Sequence, residues 1–286
     1  MVNDARSISA PALGRFRVMG ILNVTDDSFS DGGRFIDPDN AFQHALQMIE
    51  DGAHLIDIGG ESTRPGAVTV GLQQEMDRVL PVVERLLSEV DIQVSLDTSK
   101  AQVMTEGANL GAAMINDVRA LREPGALQAA AAAAIDKGCE ICLMHMRGDP
   151  QTMQDEPYYE DVVLEVSRFL QERVDECIAA GVPAGKVLTD PGFGFGKTTQ
   201  HNLQLLNDLQ SIADLGYPVL AGLSRKRMFG EILRHPASAE PWQGSRLQAS
   251  VSAAVIAASR GASVLRVHDV AETVQALAVL ERVLTV

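Results

Sequence analysis

Asp97, Asn116 and Asp190 offer two carboxylates and an amide. Such groups can pair flat with the N–H edge of a heterocycle that bears an exocyclic amine. A second chemistry is distributed elsewhere along the chain. Lys226, Arg64, Arg266 and His268 supply cationic or donor groups suited to a phosphate or pyrophosphate. Asn23 carries a carbonyl oxygen that can coordinate a hard cation, with phosphate and water completing the shell. An edge reader and an anion clamp in one place would suit a substrate that is both heterocyclic and phosphorylated. Each residue alone has a plainer role. An acid at a strand end can cap the next helix, a lysine or arginine can be a solvated rim charge, and Asn23 can serve the turn that follows it. The functional reading rests on the set.

For the set to meet, the fold must bring it together. Short β-branched or aliphatic runs, each closing on polar residues, occur at 18–23 (VMGILN), 55–61 (LIDIGGE), 94–98 (VSLDT) and 114–117 (MIND). Four more follow at 141–146 (ICLMHM), 187–190 (VLTD), 219–226 (VLAGLSRK) and 264–269 (VLRVHD). Helical patterns with spacing near three to four lie between them, such as AFQHALQMIEDGA and LEVSRFLQERVDECIAAG. Eight alternating units with no linker or composition break predict an α/β fold, a single (β/α)8 TIM barrel over residues 1–286. Residues 1–16 read as a flexible N-terminal extension. In such a barrel the site lies at the C-terminal ends of the strands. Those ends carry Asn23, Asp57 with Glu61, Thr63 and Arg64, then Asp97, Asn116, His145 and Asp190, then Ser224 with Lys226 and Arg266 with His268. Two-residue spacing places Ser224 and Lys226 on one strand face, and Arg266 and His268 on another.

The segment VLTDPGFGFGKT, 187–198, invites a nucleotide-binding reading that does not survive inspection. A P-loop needs a glycine five residues before Gly196, where Pro191 stands, with no N–H for a phosphate and a fixed φ. Lys197 occupies the third glycine position of a G-x-G-x-x-G. Composition narrows the field further. The formal charge of −14 argues against nucleic acid or an anionic membrane as partner. No apolar run approaches spanning length, and the N-terminus has no apolar h-region, so the cytoplasm is the expected location. Cys139 and Cys142 form a C-x-x-C, but Cys142 opens an apolar run, which predicts buried, inert thiols. The histidines show no zinc spacing.

GILNVTDDSFSDGG, DIGGESTRPGA, SLDTSKAQV, INDV, LMHM, TDPGFGFGK, SRK and RVHD occur in this order. Together they closely resemble the dihydropteroate synthase family, from about Val18 to the C-terminus. The resemblance implies a transferase of folate biosynthesis with a (β/α)8 barrel. It would join 6-hydroxymethyl-7,8-dihydropterin pyrophosphate to p-aminobenzoate, using Mg2+ and releasing pyrophosphate. Asp97, Asn116, Asp190 and Lys226 correspond to the pterin-binding set. Asn23, Thr63, Arg64, Arg266 and His268 correspond to the pyrophosphate end, with Asn23 as metal ligand. Phe29, Thr63, Pro65, Phe195 and Ser224 correspond to the p-aminobenzoate pocket. Asp97, Lys226, Arg266 and His268 are the residues on which catalysis would depend. The 187–198 segment would present Asp190 to the pterin and Phe195 to the second substrate, with Lys197 as a brace.

The resemblance also implies a homodimer and inhibition by sulfonamides. No residue is inserted after Phe29 and Pro65 is retained, which predicts a drug-sensitive enzyme. Asp26 stands where the family usually has proline, Arg227 where a serine is common, and Arg147 and Asp149 alter the segment after LMHM. Two other readings fit part of the pattern. A pterin-binding methyltransferase shares the barrel but holds no pyrophosphate, and a non-catalytic pterin-binding paralogue would be expected to lose anion-binding residues.

Overall fold

The computed structural model of the protein describes residues 13–25, 38–62, 69–148, 153 and 157–286. Its strands are β1 (Arg17–Asn23), β2 (Leu55–Gly59), β3 (Gln93–Asp97), β4 (Met114–Asp117), β5 (Glu140–Met144), β6 (Val187–Asp190), β7 (Val219–Ala221) and β8 (Ala262–Val267). All pair in parallel with their sequence neighbours, and β8 closes on β1. The eight-stranded (β/α)8 barrel read from the sequence is therefore the fold. The helices that cover it are α1 (Pro38–Glu50), α2 (Leu72–Glu89), α3 (Ala101–Leu110), α4 (Ala126–Asp136) and α5 (Val162–Ala179), followed by α6 (Thr199–Asn207), α7 (Gln210–Ala213), α8 (Arg227–Ile232), α9 (Leu247–Ser259) and α10 (Val270–Leu284).

Side chains two apart on a strand share a face, so the barrel interior fills in layers. Arg17 of β1 and Glu140 of β5 form a two-pronged ion pair, at 2.7 and 3.1 Å, at the N-terminal end. Two residues further along, Met19, Leu55, Met114, Cys142, Leu188, Leu220 and Val264 make a closed apolar layer. The next layer is polar: Asp57 and Ser95, paired in register, with Asn116, Asp190 and Arg266. An apolar plug thus separates the ionic floor from the polar mouth.

Helices pack through periodic apolar stripes. On α2 the buried positions are Glu75, Val79, Val82, Val83 and Leu86, one face at helical spacing. Asp161 caps α5, its Oδ1 accepting from the N–H groups of Val163 and Leu164, both at 3.0 Å. The alanine-rich α9 buries Ala253, Ala254, Ala257 and Ala258 in the core of its own barrel.

Three readings need correction. Residues 13–16 are not part of a loose extension: the N–H groups of Gly14, Arg15 and Phe16 donate to the Glu281 carboxylate, and Phe16 is buried. Residues 1–12 lie outside the described residues. The seventh strand stops at Ala221, so Ser224 and Lys226 are not related by strand alternation. They follow in a turn that carries Arg225 at φ 56°, with Lys226 as the N-cap of α8. The third concerns His145, which lies past the end of β5 and packs under the loop after β6 instead of joining the mouth. All three cysteines are buried and free, and burial pushes each thiol up, Cys177 to about 11. No helix among the described residues is long and apolar enough to cross a membrane.

Candidate active site

A cleft of about 800 Å³ opens at the C-terminal mouth. Asn23, Asp97, Phe195, Ser224, Lys226, Arg266 and His268 line it. Asn116 and Asp190, 3% and 5% exposed, lie deeper in the barrel. Apart from His145, the described residues of the substrate-binding set read from the sequence therefore lie at the mouth or in the polar layer beneath it. Phe29, Thr63, Arg64, Pro65, Asp26 and Asp149 lie outside the described residues.

Arg266 organises the polar layer. Its Nε donates to Asp57 Oδ2 and its Nη2 to Asp97 Oδ2, both at 2.6 Å. Asn116 Nδ2 donates to the same Asp57 oxygen at 3.2 Å. Asp57 is fully buried, and its Oδ1 and the Ser95 hydroxyl have no hydrogen-bond partner among the described residues. The sequence reading placed Asp57 at a strand end but gave it no role. An acid in the middle of an otherwise apolar strand, two residues after inward-facing Leu55, was the available signal.

Burial raises the Asp97 carboxyl to about 7, although Arg266 pulls it down. Burial likewise raises Asp190 to about 6, against the N–H of Gly192, which its Oδ1 accepts at 2.7 Å, and the charge of Lys226. Lys226 is lowered to about 8, first by burial and then by Arg266. Its Nζ lies 4.3 Å above the centre of the Phe195 ring, a cation–π contact. His268 is lowered to about 3, chiefly by burial, so the ring is neutral at ordinary pH and can serve as a donor. Its Nδ1 meets Ser224 Oγ at 2.9 Å.

The loop after β6 is held from below. The Lys197 ammonium, 3% exposed, donates to the carbonyls of Gly192 and Phe195 at 2.9 and 3.0 Å and sits 2.9 Å from His145 Nδ1. The brace read from the sequence is what the structure has. Burial lowers this lysine to about 7, and burial with the Lys197 charge takes His145 down to about 2. Gly192 and Gly196 are required for the turn. Both have positive φ, and a Cβ would fall 1.8 Å from the His145 oxygen at the first and 2.4 Å from the Arg147 oxygen at the second. Of the departures, Arg147 pairs with Glu165 at 2.9 Å and lies over Tyr159, and Arg227 pairs with Glu231 at 3.4 Å on an exposed helix face.

Asn23 supplies an oxygen at the cleft wall. Among the described residues, no group of three or more His, Cys, Asp or Glu side chains could hold a metal ion.

Residues 19–268 match the family described as pterin binding enzyme. The chain is 51% identical to a dihydropteroate synthase of Haemophilus influenzae over 95% of its own length and 93% of that protein. It belongs to the dihydropteroate synthase family. A second member, from Escherichia coli K12, is 50% identical over 94% of this chain and 92% of its own. Among solved dihydropteroate synthases, the Yersinia pestis enzyme in a sulfonamide drug complex superposes with a TM-score of 0.87 at 51% identity, covering 98% of this chain and 99% of that one. The Xanthomonas albilineans enzyme in complex with 7,8-dihydropteroate gives 0.82 at 47% identity, with 96% of each chain covered.

Proposed function

We propose that the protein divides the reaction of this family between the two halves of the cleft, and that one observation carries the assignment: Arg266 joins them. Its guanidinium lies on Asp57 and Asp97 while its neighbour two residues on, His268, lines the cleft. The enzyme condenses 6-hydroxymethyl-7,8-dihydropterin pyrophosphate with p-aminobenzoate, giving 7,8-dihydropteroate and pyrophosphate. Asp97, Asn116 and Asp190 take the N–H edges of the pterin, and Lys226 lies beside them. Arg266 and His268, with Thr63 and Arg64, face the pyrophosphate. Phe195 and Ser224, with Phe29, Thr63 and Pro65, hold the arylamine.

No nucleophilic side chain is needed. The bond from the pterin methylene carbon to pyrophosphate oxygen breaks, and the electron-rich ring accommodates the positive charge. Buried carboxylates favour that charge, and Arg266 and the His268 donor favour the departing anion. The neutral amine nitrogen of p-aminobenzoate forms the new bond to the methylene carbon and releases a proton.

Asn23 fits Mg2+ in donor chemistry: a single protein carbonyl leaves the other positions to phosphate oxygen and water, the usual habit of this ion. When bound, the ion supplies charge neutralisation at the pyrophosphate. The family resemblance further supports reading the protein as a cytoplasmic homodimer in which sulfonamides compete with p-aminobenzoate. A methyltransferase holds no pyrophosphate and would leave the His268 donor at the cleft without an anion to bind. Formation of 7,8-dihydropteroate with one equivalent of pyrophosphate should require the pterin pyrophosphate, p-aminobenzoate and Mg2+ together; no dihydropteroate from the complete mixture would refute the assignment.

A further inference from the structure

Beside the cleft, the end of β2 is fastened by a group of ions that none of the assigned roles uses. Lys100 Nζ donates to both Glu61 Oε2 and Glu75 Oε2. Thr98, which directly follows Asp97, donates its hydroxyl to the other Glu75 oxygen at 2.5 Å and accepts the Lys100 N–H at 3.2 Å. Glu75 is 1% exposed, Glu61 15% and Lys100 24%. Glu61 and Ser62 line the cleft, whereas Lys100 does not.

The backbone around Glu61 is fixed as tightly. The Gly60 carbonyl accepts from Arg78 at 2.9 Å, and the Gly59 carbonyl accepts from Val24, next to Asn23, at 2.8 Å. A Cβ on Gly60 would meet Val79 at 2.8 Å, so this short stretch is pressed against α2. The wall that carries Glu61 thus cannot easily withdraw from the cleft.

That rigidity creates an electrostatic problem. A carboxylate is held in the wall of a cleft whose substrate, on the reading above, is a pyrophosphate. Lys100 is the cation that answers it. We propose that Lys100 is a positioning residue for the anionic half of the cleft: it turns the Glu61 carboxylate inward onto an ion triad with Glu75 and offsets its charge. It contacts no reacting atom and acts through Glu61.

The effect should appear selectively. Replacing Lys100 by Met leaves two carboxylates unopposed near the pyrophosphate, and KM for pterin pyrophosphate should rise about tenfold, with kcat changing less. KM for p-aminobenzoate and the Kd of unphosphorylated 6-hydroxymethyl-7,8-dihydropterin should stay within about twofold. The double variant Lys100→Met/Glu61→Gln should recover most of the loss. Glu61→Gln alone should leave KM for pterin pyrophosphate unchanged or lower it, which keeps the proposal testable if Lys100→Met does not fold. A double variant no better than the single, equal losses for phosphorylated and unphosphorylated pterin, or a raised KM in Glu61→Gln would each overturn it. The wild-type assay separates the levels. With no turnover of pterin pyrophosphate the functional assignment falls and this role falls with it; turnover without the selective KM effect removes only the role of Lys100.

Discussion

The barrel closes on an arginine–carboxylate contact at each end, and the two contacts differ in kind. At the floor, Arg17 and Glu140 face each other across β1 and β5 with two bonds between two groups, at 30% and 25% exposure. One positive charge meets one negative charge, and water reaches both. At the mouth, Arg266 is divided between Asp57 and Asp97, and Asp190 adds a third carboxyl. Lys226, at the cleft above that layer, is the second cation, so three acids, Asp57 and Asp190 among them buried, stand against two bases. One Asp57 oxygen has no partner among the described residues, and burial raises the Asp97 and Asp190 carboxyls against the pull of the neighbouring cations. The floor is a finished contact, whereas the mouth lacks hydrogen-bond donors and positive charge. A heterocycle rich in N–H groups that gains positive charge as its leaving group departs supplies both. Folding stability alone would favour the first arrangement at both ends.

Removing each arginine should break the comparison most sharply. Arg266→Ala strands Asp57 and Asp97 as unpaired buried acids, an effect of about 3–5 kcal/mol on stability unless they take up protons. Loss of a preorganised donor at the leaving group should lower kcat by about 10²–10³-fold. The contact with Asp97 means that unphosphorylated pterin should also bind more weakly, though less so than the pyrophosphate. Calorimetry with both ligands and steady-state kinetics check this; wild-type kcat in Arg266→Ala would end the contrast drawn here.

Asp190 tests the donor deficit directly. Its Oδ1 is already used by the Gly192 N–H, which leaves one oxygen for a ligand. Asp190→Asn replaces an acceptor with a donor and should weaken pterin binding by about 1–3 kcal/mol, with Asp97→Asn similar. Calorimetry showing unchanged affinity in both variants would remove these two residues from the pterin site.

The mouth should also respond to pH near neutrality. Asp190 at about 6 and Asp97 at about 7 are raised by burial, so their ionised, accepting forms grow as pH rises through that range. Lys226, lowered to about 8, loses its charge above that value. kcat/KM for pterin pyrophosphate should therefore rise between pH 6 and 7 and fall above about 8. His268, neutral above about 3, contributes to neither limb. A flat profile from pH 5.5 to 9 would contradict the burial-driven shifts.

Strand polarity and the layer rule made most of this legible in the sequence. Asp97, Asn116, Asp190 and Arg266 fall at strand ends in the parity that points inward, and periodicity needs no tertiary knowledge to find them. Ser224 and Lys226 reach the cleft by a route other than strand alternation, because β7 is three residues long and a turn delivers them. His145 was placed at the mouth because it ends an apolar run, yet the Lys197 ammonium and the ring of Phe169 draw it beneath the next loop. The triad of Glu61, Glu75 and Lys100 joins a strand end, a helix and a helix cap. No single periodicity connects such residues, so only the folded chain brings them together.

The smallest expected effect belongs to the floor. Arg17 and Glu140 are each partly solvated, so their Coulomb attraction is screened and their desolvation is incomplete. Arg17→Met leaves Glu140 with water as a partner, and stability should fall by about 1 kcal/mol or less. In Arg17→Met/Glu140→Leu the two aliphatic side chains continue the apolar layer of Met19 and Cys142 just above them. Stability should then return to the wild-type value or slightly exceed it, since a well-packed apolar pair can replace an ion pair without loss. Neither variant should alter kcat/KM, because the apolar layer insulates the floor from the polar mouth. Urea denaturation with parallel kinetics measures both quantities. If the double variant loses stability by more than about 2 kcal/mol, or if activity follows it down, the floor pair is coupled to the mouth and the insulation ascribed to that layer is wrong.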